Sequence, residues 1–503
     1  MGPVLGVTLK GIEAVPIDIE VEITGGLFVI AVVGLPDAAI REARERVRAA
    51  LRSNGIHLRG RIALNLAPAD LPKEGSLLDL PMAVGLAMES GAVSLRETGI
   101  FLGELAMDGR LRSTKGAVPA ALLARKMGVP LFLPPGNARE VSLVKGVTAF
   151  APPDLGSLLG HLRKETLLPP VSEIALDPDE PVADPDLGDI KGQAAAKRAL
   201  EIAAAGHHNL LLVGSPGSGK TMLARALRGI LPPLTDEERL ETLLVGSTLG
   251  LPVKADRTRP YRVVHHTAST IALCGGGVAL RPGEISLAHR GVLFLDEFAE
   301  FHRDLLEALR QPLEDGIITV SRVSGSVTYP ARVLLVCACN PCPCGYWGDP
   351  VEPCRCSAHA LEKYRNRLSG PILDRIDLHV AVPRLTPDEL VCLEGQQGAS
   401  SAEVQKRVTA ARAIQQERWK AEGYASNAEI PERLVRTGIR LSKEVRSFLA
   451  EAVRGMRLSG RGISRALKVA RTVADLRANP EVRIEDVCEA LAYRGGGITG
   501  DGT

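Results

Sequence analysis

Aromatic residues are scarce in this sequence, at 3% of 503 residues, and the net charge at pH 7 is only +2. Such a charge predicts neither nucleic acid nor an acidic protein as a partner, although it can conceal local asymmetry. No apolar run approaches the ~20 residues of a membrane-spanning helix, and no N-terminal stretch has the basic start and apolar core of a secretory signal. We therefore expect a cytoplasmic protein with no membrane partner.

Cysteines are also few, nine in all, and most of them lie between Cys337 and Cys356. An odd number clustered in one stretch argues against a disulfide framework and favours reduced thiols or a bound metal. Four of them form the pattern C-x-C-x₉-C-x-C, namely Cys342, Cys344, Cys354 and Cys356. Four thiolates suit a tetrahedral, structural Zn²⁺, but the C-x-C spacing is tighter than usual, so unliganded thiols remain the alternative.

Hydrophobic residues make up 45% of the sequence, and the chain is too long to form a single core. The sequence predicts an α/β protein in four parts: a domain of alternating strands and helices over residues 1–165, an acidic, proline-rich linker over 166–186, a nucleotide-binding core over 187–384, and a helical lid over 385–503.

A phosphate-binding loop is the strongest motif in the chain. It fits G-x-x-x-x-G-K-[ST] at every fixed position, in the residues Gly214, Ser215, Pro216, Gly217, Ser218, Gly219, Lys220 and Thr221. An apolar, strand-like run precedes it, and a helical pattern starting at Met222 follows it, as this motif requires. Together these residues predict an ATP site, in which Lys220 reaches the β- and γ-phosphates and Thr221 offers its hydroxyl to Mg²⁺.

Two further apolar strands end in polar residues. The first ends in Asp296 and Glu297, a Walker B pattern in which Asp296 holds the Mg²⁺ shell and Glu297 orients and deprotonates the attacking water. The second ends in Asn340, which we predict to contact the γ-phosphate or the water, the sensor 1 role. The simpler alternatives are an acidic helix cap for the first pair and a turn-forming asparagine for the second.

Residues 371–378 resemble the L-[DS]-R-[FI]-D segment of the magnesium-chelatase and replicative-helicase branch of AAA+ proteins. The resemblance implies that Arg375 reaches the γ-phosphate bound by a neighbouring subunit, where such a guanidinium strongly accelerates hydrolysis. A structural ion pair with Asp374 or Asp377 is the alternative. The C-terminal helices resemble an AAA+ lid, with Arg461 as first choice and Arg465 as second choice for a sensor 2 arginine.

The N-terminal part begins with three predicted elements: a half-buried strand over residues 17–23, a buried strand over 27–33, and a helix from Asp37 to about Asn54. Residues 72–75, 103–111 and 128–134 then resemble the C-terminal domain of Lon proteases. This resemblance implies a Lon-protease-like (ribosomal protein S5 domain 2-like) α+β fold.

Lon proteases use a serine activated by a lysine. On the aligned motifs, the serine position falls on Leu77 and the lysine position on Val118, while Ser76 and Lys115 are displaced along the chain. Because a shift of one residue turns a side chain in the wrong direction, we expect a scaffold without protease activity. A rearranged dyad of Ser76 and a lysine is the alternative.

A hairpin is predicted before the Asn340 strand, from two alternating runs over residues 317–322 and 326–329 around Ser324 and Gly325. If it lines the pore of a ring, Arg322 near its turn can contact a DNA backbone. An ordinary hairpin at the edge of a sheet is the alternative.

The order of these parts resembles the YifB/ComM family of magnesium-chelatase-like AAA+ ATPases over nearly the whole chain. The diagnostic stretches are residues 65–73, 281–289 and 340–345. The resemblance implies a homo-hexameric, ATP- and Mg²⁺-dependent helicase that drives branch migration of joint DNA molecules in recombination and natural transformation, with single-stranded and branched DNA as partners. Two other functions compete with it: a metal-chelatase motor subunit and an ATP-dependent protease.

Overall fold

We describe the fold from a computed structural model, which describes residues 2–73, 75–95, 97–172, 184–252, 256–277, 280–322, 325–368, 372–385, 398–456 and 458–495. Most of the predicted linker, the start of the predicted lid and the hairpin turn at residues 323–324 lie outside these ranges. Among the described residues, no helix combines the length and apolarity needed to cross a bilayer.

The N-terminal part is built on a seven-stranded mixed sheet in the order β3-β4-β2-β1-β5-β8-β9. Its strands are β1 (Val4–Lys10), β2 (Glu13–Thr24), β3 (Val29–Val33), β4 (Arg61–Ala67), β5 (Gly99–Phe101), β8 (Leu131–Phe132) and β9 (Ala149–Phe150), and a separate pair is formed by β6 (Glu104–Leu105) and β7 (Leu111–Arg112). Its helices are α1 (Ala38–Ser53), α2 (Asp79–Glu89), α3 (Ala117–Met127), α4 (Ala138–Val141) and α5 (Leu155–Leu162). The predicted start of α1 is confirmed, since the Asp37 side chain accepts from the backbone N–H of Ile40.

The expectation of a buried strand over residues 27–33 is wrong. Strand β3 is the edge of the sheet, and Leu27, Val29 and Val33 are 90%, 51% and 53% exposed. An apolar run identifies a strand, but it does not distinguish a central strand from an edge strand. The alternating strand predicted over residues 17–23 is confirmed, because β2 buries Ile17 and Ile19 on one face.

The central part contains a five-stranded sheet in the order β11-β14-β17-β10-β18, in which every pairing is parallel. Its strands are β10 (Leu210–Val213), β11 (Tyr261–Val264), β14 (Val292–Leu295), β17 (Leu334–Cys339) and β18 (Leu378–Ala381). Parallel strands all end at one edge of the sheet, so residues that follow different strands are brought together there. Strands β10, β14 and β17 are predicted core strands, and β18 starts at the end of the predicted arginine segment over residues 371–378.

Helices and short strands surround this sheet. They are α6 (Ala194–Gly206), α7 (Lys220–Ile230), α8 (Asp236–Leu249), α9 (Thr270–Cys274), β12 (Gly275–Gly276), β13 (Arg281–Pro282), α10 (Glu284–Leu287), α11 (Arg303–Ala308), α12 (Arg310–Asp315), β15 (Ile317–Arg322), β16 (Gly325–Pro330) and α13 (Ala358–Leu368). Strands β15 and β16 pair only with each other among the described residues, so the predicted hairpin is a separate two-stranded sheet and not an extension of the central sheet.

The C-terminal described residues form the helices α14 (Ser401–Trp419), α15 (Glu432–Gly438), α16 (Lys443–Met456), α17 (Gly460–Leu476) and α18 (Ile484–Gly495). Their apolar residues share one core with α6 and with the facing side of the central sheet, where Val404 and Ala470 pack with Ala199. Ser459 caps α17 by accepting from the N–H of Gly462.

Helix α8 joins the N-terminal and central parts. Leu243 belongs to the same apolar cluster as Val118 and Leu131 of the N-terminal part. The Ser247 hydroxyl accepts from the N–H of Val118 at 3.2 Å, and its carbonyl accepts from the N–H of Gly116 at 2.7 Å. On the side of the central part, Glu238 pairs with Arg259 at 2.8 Å.

Candidate nucleotide-binding site

The phosphate-binding loop connects β10 to α7 at the carboxyl edge of the central sheet. Gly217 and Gly219 adopt φ values of +77° and +92°, which L-residues with side chains disfavour. Lys220 Nζ lies over this loop and donates to the carbonyls of Gly214 at 2.7 Å and Ser215 at 2.9 Å. The ammonium group is thus held at the centre of the loop, where a phosphate would be bound.

Residues from the neighbouring strands meet this loop. Lys220 Nζ lies 3.3 Å from Oδ1 of Asn340, which follows β17. The Thr221 hydroxyl lies 3.2 Å from Oδ2 of Asp296, which follows β14. The sheet therefore brings the predicted lysine, threonine, aspartate and asparagine together at its carboxyl edge.

Burial affects the charges around Lys220. Desolvation lowers the pKa of the Lys220 ammonium, while the Asp296 carboxylate opposes that shift. Burial raises the pKa of the neighbouring Cys339 thiol to about 12, although Lys220 opposes the shift. Cys339 is therefore a neutral part of the core beside a cation that lacks full solvation, and an anionic ligand would stabilise that cation.

Glu297 has partners that the sequence did not indicate. Its carboxylate Oε2 lies 2.9 Å from Nδ1 of His266 and 3.8 Å from Nε2 of His265. Its backbone φ is +53°, and its N–H donates to Oδ1 of Asp296 at 2.9 Å.

Arg375 lies at the opposite edge of the sheet. Strand β18 starts at Leu378, which pairs with Leu210, the first residue of β10, whereas Lys220 comes after the end of β10. Arg375 is 3% exposed and pairs with Glu314. The structure therefore does not bring Arg375 to the phosphate loop of its own chain.

Both candidate sensor 2 residues lie near Arg375. Arg461 and Arg465 line the same pocket as Arg375, together with Lys468. Arg465 donates to the Arg375 carbonyl at 2.9 Å and to Oδ1 of Asp377 at 2.7 Å. Asp377, one of the two ion-pair partners considered for Arg375, is thus bonded to Arg465.

This pocket is lined by four cations, Arg375, Arg461, Arg465 and Lys468, and by three carboxylates, Glu314, Asp374 and Glu432. Desolvation lowers the pKa of Lys468 to about 8, and Arg465 adds to that shift while Asp377 opposes it. The pKa of buried Asp377 is well below its usual range because Arg465 and His208 outweigh the effect of desolvation. The pocket therefore carries a small excess of positive charge, because its own carboxylates offset most of the cations.

The four clustered cysteines follow Asn340 directly, and their sulfur atoms all lie within 4.8 Å of one another. Cys342 Sγ lies 3.3 Å from Cys344 Sγ and 3.7 Å from Cys354 Sγ, and Cys344 Sγ lies 3.5 Å from Cys354 Sγ. A tetrahedral zinc site with Zn–S bonds of about 2.3 Å has sulfur–sulfur edges of ~3.8 Å, so these residues fit the ion.

The cysteine loop also contacts the phosphate loop. Gly345, with φ of +90°, is packed so closely that an added Cβ would lie 2.7 Å from the Pro216 ring. The hydroxyl of Tyr364 on α13 donates to the Asn340 carbonyl at 2.8 Å. The conformation of this loop therefore affects the shape of the phosphate-binding site.

Residues of the β15–β16 hairpin alternate between a buried and an exposed face. Val320 and Val327 are buried in the core cluster, whereas Ser321 and Ser326 face outward and their hydroxyls lie 2.9 Å apart. Arg322 is exposed at the end of β15, and its guanidinium lies beside Gly276 of β12. Its predicted contact with DNA remains a prediction.

The N-terminal residues at the aligned protease positions are apolar and buried. Leu77 and Val118 are 3% and 0% exposed and share one apolar cluster. The Ser76 hydroxyl lies 2.5 Å from Oε2 of Glu104, so its partner is a carboxylate and not a lysine.

Three family models match the chain. Residues 186–390 match the model described as magnesium chelatase, subunit ChlI, residues 19–137 match subunit ChlI of Mg-chelatase, and residues 398–494 match the C-terminal part of the same subunit.

Relatives match over almost the full length. The competence protein ComM of Haemophilus influenzae is 43% identical over 493 residues, covering 96% of this chain and 95% of the relative. An uncharacterized protein YifB of Salmonella typhimurium is 43% identical over 490 residues, with the same coverage. By contrast, the magnesium-chelatase 67 kDa subunit of Heliobacterium mobile is 30% identical over only 39% of this chain and 30% of its own length.

Proposed function

Because the chain belongs to the YifB/ComM family of magnesium-chelatase-like AAA+ proteins, we propose that it is an ATP-driven DNA motor that works as a homo-hexameric ring. In this proposal the motor acts on single-stranded and branched DNA and drives branch migration of joint molecules during recombination or natural transformation. The chain is divided into a Lon-like scaffold, an ATPase core and a helical lid.

The position of Arg375 carries this proposal. Lys220 and Asp296 lie at the carboxyl edge of the central sheet, whereas Arg375 lies at the amino edge. If this arginine acts on a nucleotide, the nucleotide must be bound to a neighbouring copy of the chain. A head-to-tail arrangement that closes on itself gives a ring in which every site is shared by two copies.

Each side of the proposed site has a distinct task. Lys220 and the loop N–H groups would bind the phosphates, while Thr221 and Asp296 would hold Mg²⁺, which would neutralise charge on the phosphates. Glu297 takes a proton from the attacking water, and Asn340 orients that water or the γ-phosphate. The neighbour supplies Arg375, with Arg461 or Arg465 beside it, to stabilise charge as it develops.

The cysteine loop would hold a structural Zn²⁺ through Cys342, Cys344, Cys354 and Cys356. The clustering of the four sulfurs supports this proposal. The ion would fix the loop that packs on Pro216, so its role is to shape the phosphate site and not to take part in hydrolysis.

DNA would be held by the β15–β16 hairpin, through Arg322 and the polar face of Ser321 and Ser326. Loss of the γ-phosphate would release the arginine cluster of the neighbouring copy and let the lid helices move relative to the core. In a ring with hairpins lining the pore, that movement would pull the DNA backbone.

A metal-chelatase motor subunit is the second candidate, because the matching family models carry that description. The match of residues 19–137 extends that description to the N-terminal part. The coverage still favours the DNA motor, since the matched chelatase subunit covers 39% of this chain and ComM covers 96%.

A branch-migration assay on a synthetic four-way DNA junction tests the proposal. The wild-type protein should convert the junction to duplex products in the presence of ATP and Mg²⁺. Lys220→Ala should fail to bind ATP, and Glu297→Gln should bind ATP without turnover. A wild-type ATPase whose rate ignores both single-stranded and branched DNA would contradict the motor function.

A further inference from the structure

A small cavity lies between the N-terminal part and the central part, and its described lining residues include none from the phosphate loop. We propose that this cavity binds a phosphate group, and that the backbone of DNA held by the β15–β16 hairpin supplies it. The inference rests on the proposed DNA motor and extends its DNA site onto the N-terminal part.

Both parts of the chain are needed to form the cavity. Its lining includes Gly11 and Lys115 from the N-terminal part, and Arg281 and Tyr329 from the central part. Gly11, in the turn between β1 and β2, lies so close to Val327 of the hairpin that there is no room for a Cβ atom. The N-terminal part therefore closes one side of the cavity against the hairpin itself.

The size of the cavity suits one small anion. Its volume is about 40 Å³, whereas a single water molecule needs about 10–15 Å³. The cavity therefore has room for about three water molecules, which is close to the size of one phosphate group. Ligand pockets for whole nucleotides and similar molecules are about ten times larger.

The charges on the lining favour an anion. Lys115 is half-buried and Arg281 is exposed, and the described lining residues include no carboxylate. Within the described part of the chain, neither side chain takes part in a salt bridge. The carboxylate nearest to Arg281 along the chain, Glu284, is already paired with Arg262 at 2.6 Å. An anion in the cavity would therefore face two cations that no acidic side chain on its lining neutralises.

The cavity continues from the cationic end of the hairpin. Gly276 of β12 is the register partner of Arg281 on β13. A Cβ on Gly276 would lie 3.7 Å from Nη2 of Arg322. The cations Arg322, Arg281 and Lys115 thus follow one another from the hairpin to the N-terminal part. Such a succession suits a polynucleotide, whose backbone carries a negative charge at each phosphate.

The cavity is tested by the salt dependence of DNA binding, measured on the full chain by the anisotropy of a labelled single-stranded oligonucleotide. Each phosphate contact on a single strand contributes about 0.7 to the slope of log K against log salt. Lys115→Ala should therefore make the slope shallower by about 0.7 and weaken binding about fourfold near 0.15 M salt. Arg281→Ala should act in the same direction. Lys115→Arg, which keeps the charge, should bind DNA like the wild type.

Lys126→Ala is the matched control, because Lys126 is exposed at the other end of α3 from Lys115, and it should match the wild type. All four variants should keep the DNA-free ATPase rate, which checks that they are folded. Wild-type affinity and slope in Lys115→Ala would overturn this inference alone. Weaker binding with an unchanged slope would also overturn it, since that result indicates an altered shape and not a lost phosphate contact.

Inorganic phosphate distinguishes a DNA phosphate from the free ion. It is titrated into the DNA-free wild type and Lys115→Ala at constant ionic strength, and the midpoint of thermal unfolding is measured. Similar midpoints for the two proteins, alongside the expected loss of DNA affinity, identify the DNA backbone as the source. A smaller rise for Lys115→Ala with unchanged DNA binding would assign the cavity to the free ion and overturn its part in DNA binding. A wild-type protein that binds no DNA overturns the proposed function, and DNA as the source with it.

Discussion

Arg465 donates a hydrogen bond to the main-chain carbonyl of Arg375 at 2.9 Å. This bond joins helix α17 to the segment that precedes strand β18, so two of the arginines predicted to contact nucleotide are held together. Because Arg465 is also bonded to buried Asp377, helix α17 cannot move without disturbing the position of Arg375. We propose that this arginine cluster is the point at which helix α17 responds to a nucleotide bound by a neighbouring copy.

A shared site predicts complementation between two inactive variants. Lys220→Ala and Arg375→Ala should each lack ATPase activity, the first through loss of the phosphate loop and the second through loss of the arginine. Mixed in equal amounts, they should regain about a quarter of the wild-type rate, because about one interface in four combines an intact loop with an intact arginine. The measurement is the ATPase rate against mixing ratio.

Arg110→Ala, at an exposed N-terminal position, is the control and should not alter the rate. Full activity of Arg375→Ala on its own, or an inactive mixture at every ratio, would contradict a shared site.

Zinc content provides a second prediction. The purified protein should contain one Zn²⁺ per chain by elemental analysis, and Cys342→Ser or Cys354→Ser should lower that content. Because the cysteine loop packs on Pro216, the same variants should raise KM for ATP more than they lower kcat. Cys488→Ser alters an exposed cysteine on α18 and should keep both values. Zinc-free wild-type protein with full ATP affinity would argue against the site.

Acid stability should depend on Glu241 of helix α8. Burial alone would raise the pKa of this carboxyl, but hydrogen bonds from His289 and Arg290 lower it to about 2. A carboxyl whose pKa is lower in the folded than in the unfolded state stabilises the fold at pH values above its unfolded pKa of about 4.5. That contribution is lost as the pH falls towards 2. Glu241→Gln should therefore flatten the loss of stability between about pH 5 and pH 3, measured by the urea midpoint.

Glu89→Gln, at an exposed position on α2, should lose stability with falling pH as steeply as the wild type. If the urea midpoints of Glu241→Gln and the wild type fall in parallel with pH, the contacts of Glu241 do not control acid stability.

The joint between α3 and α8 predicts a loss of stability on Ser247→Ala. Ser247 is buried, and its hydroxyl accepts from the Val118 N–H. Removing the hydroxyl leaves a buried donor unpaired, which costs about 1–3 kcal/mol. Chemical denaturation should report this as a lower midpoint, whereas Ser53→Ala, at an exposed position of α1, should change little. Equal denaturation midpoints for the two variants would show that the hydrogen bond between Ser247 and Val118 does not stabilise the contact between α3 and α8.

The elements around the phosphate loop were predictable because their signals are local. The loop, its flanking strand and helix, and the two strands that end in Asp296 and Asn340 each carry their own pattern. A parallel sheet then determines that the residues after those strands meet. The helix cap at Asp37 was predictable for the same reason, since it depends only on neighbouring residues.

What could not be predicted depends on contacts between distant segments. The meeting of His266 and Glu297 follows from the register of β11 and β14, which no local pattern reports. The exposure of Val29 follows from the place of β3 in the order of strands. The pairing of Arg375 with Glu314 likewise depends on how α12 packs against the core.

Helix α8 also limits how this protein can be rearranged. Its leucines Leu240, Leu243 and Leu244 belong to the apolar cluster of the N-terminal part, while Glu238 and Glu241 are paired to arginines of the central part. A chimera that grafts a foreign N-terminal unit onto residue 187 would expose those leucines to water. A chimera made from two relatives must therefore take helix α8 from the same parent as the first 165 residues, although the helix lies much later in the sequence.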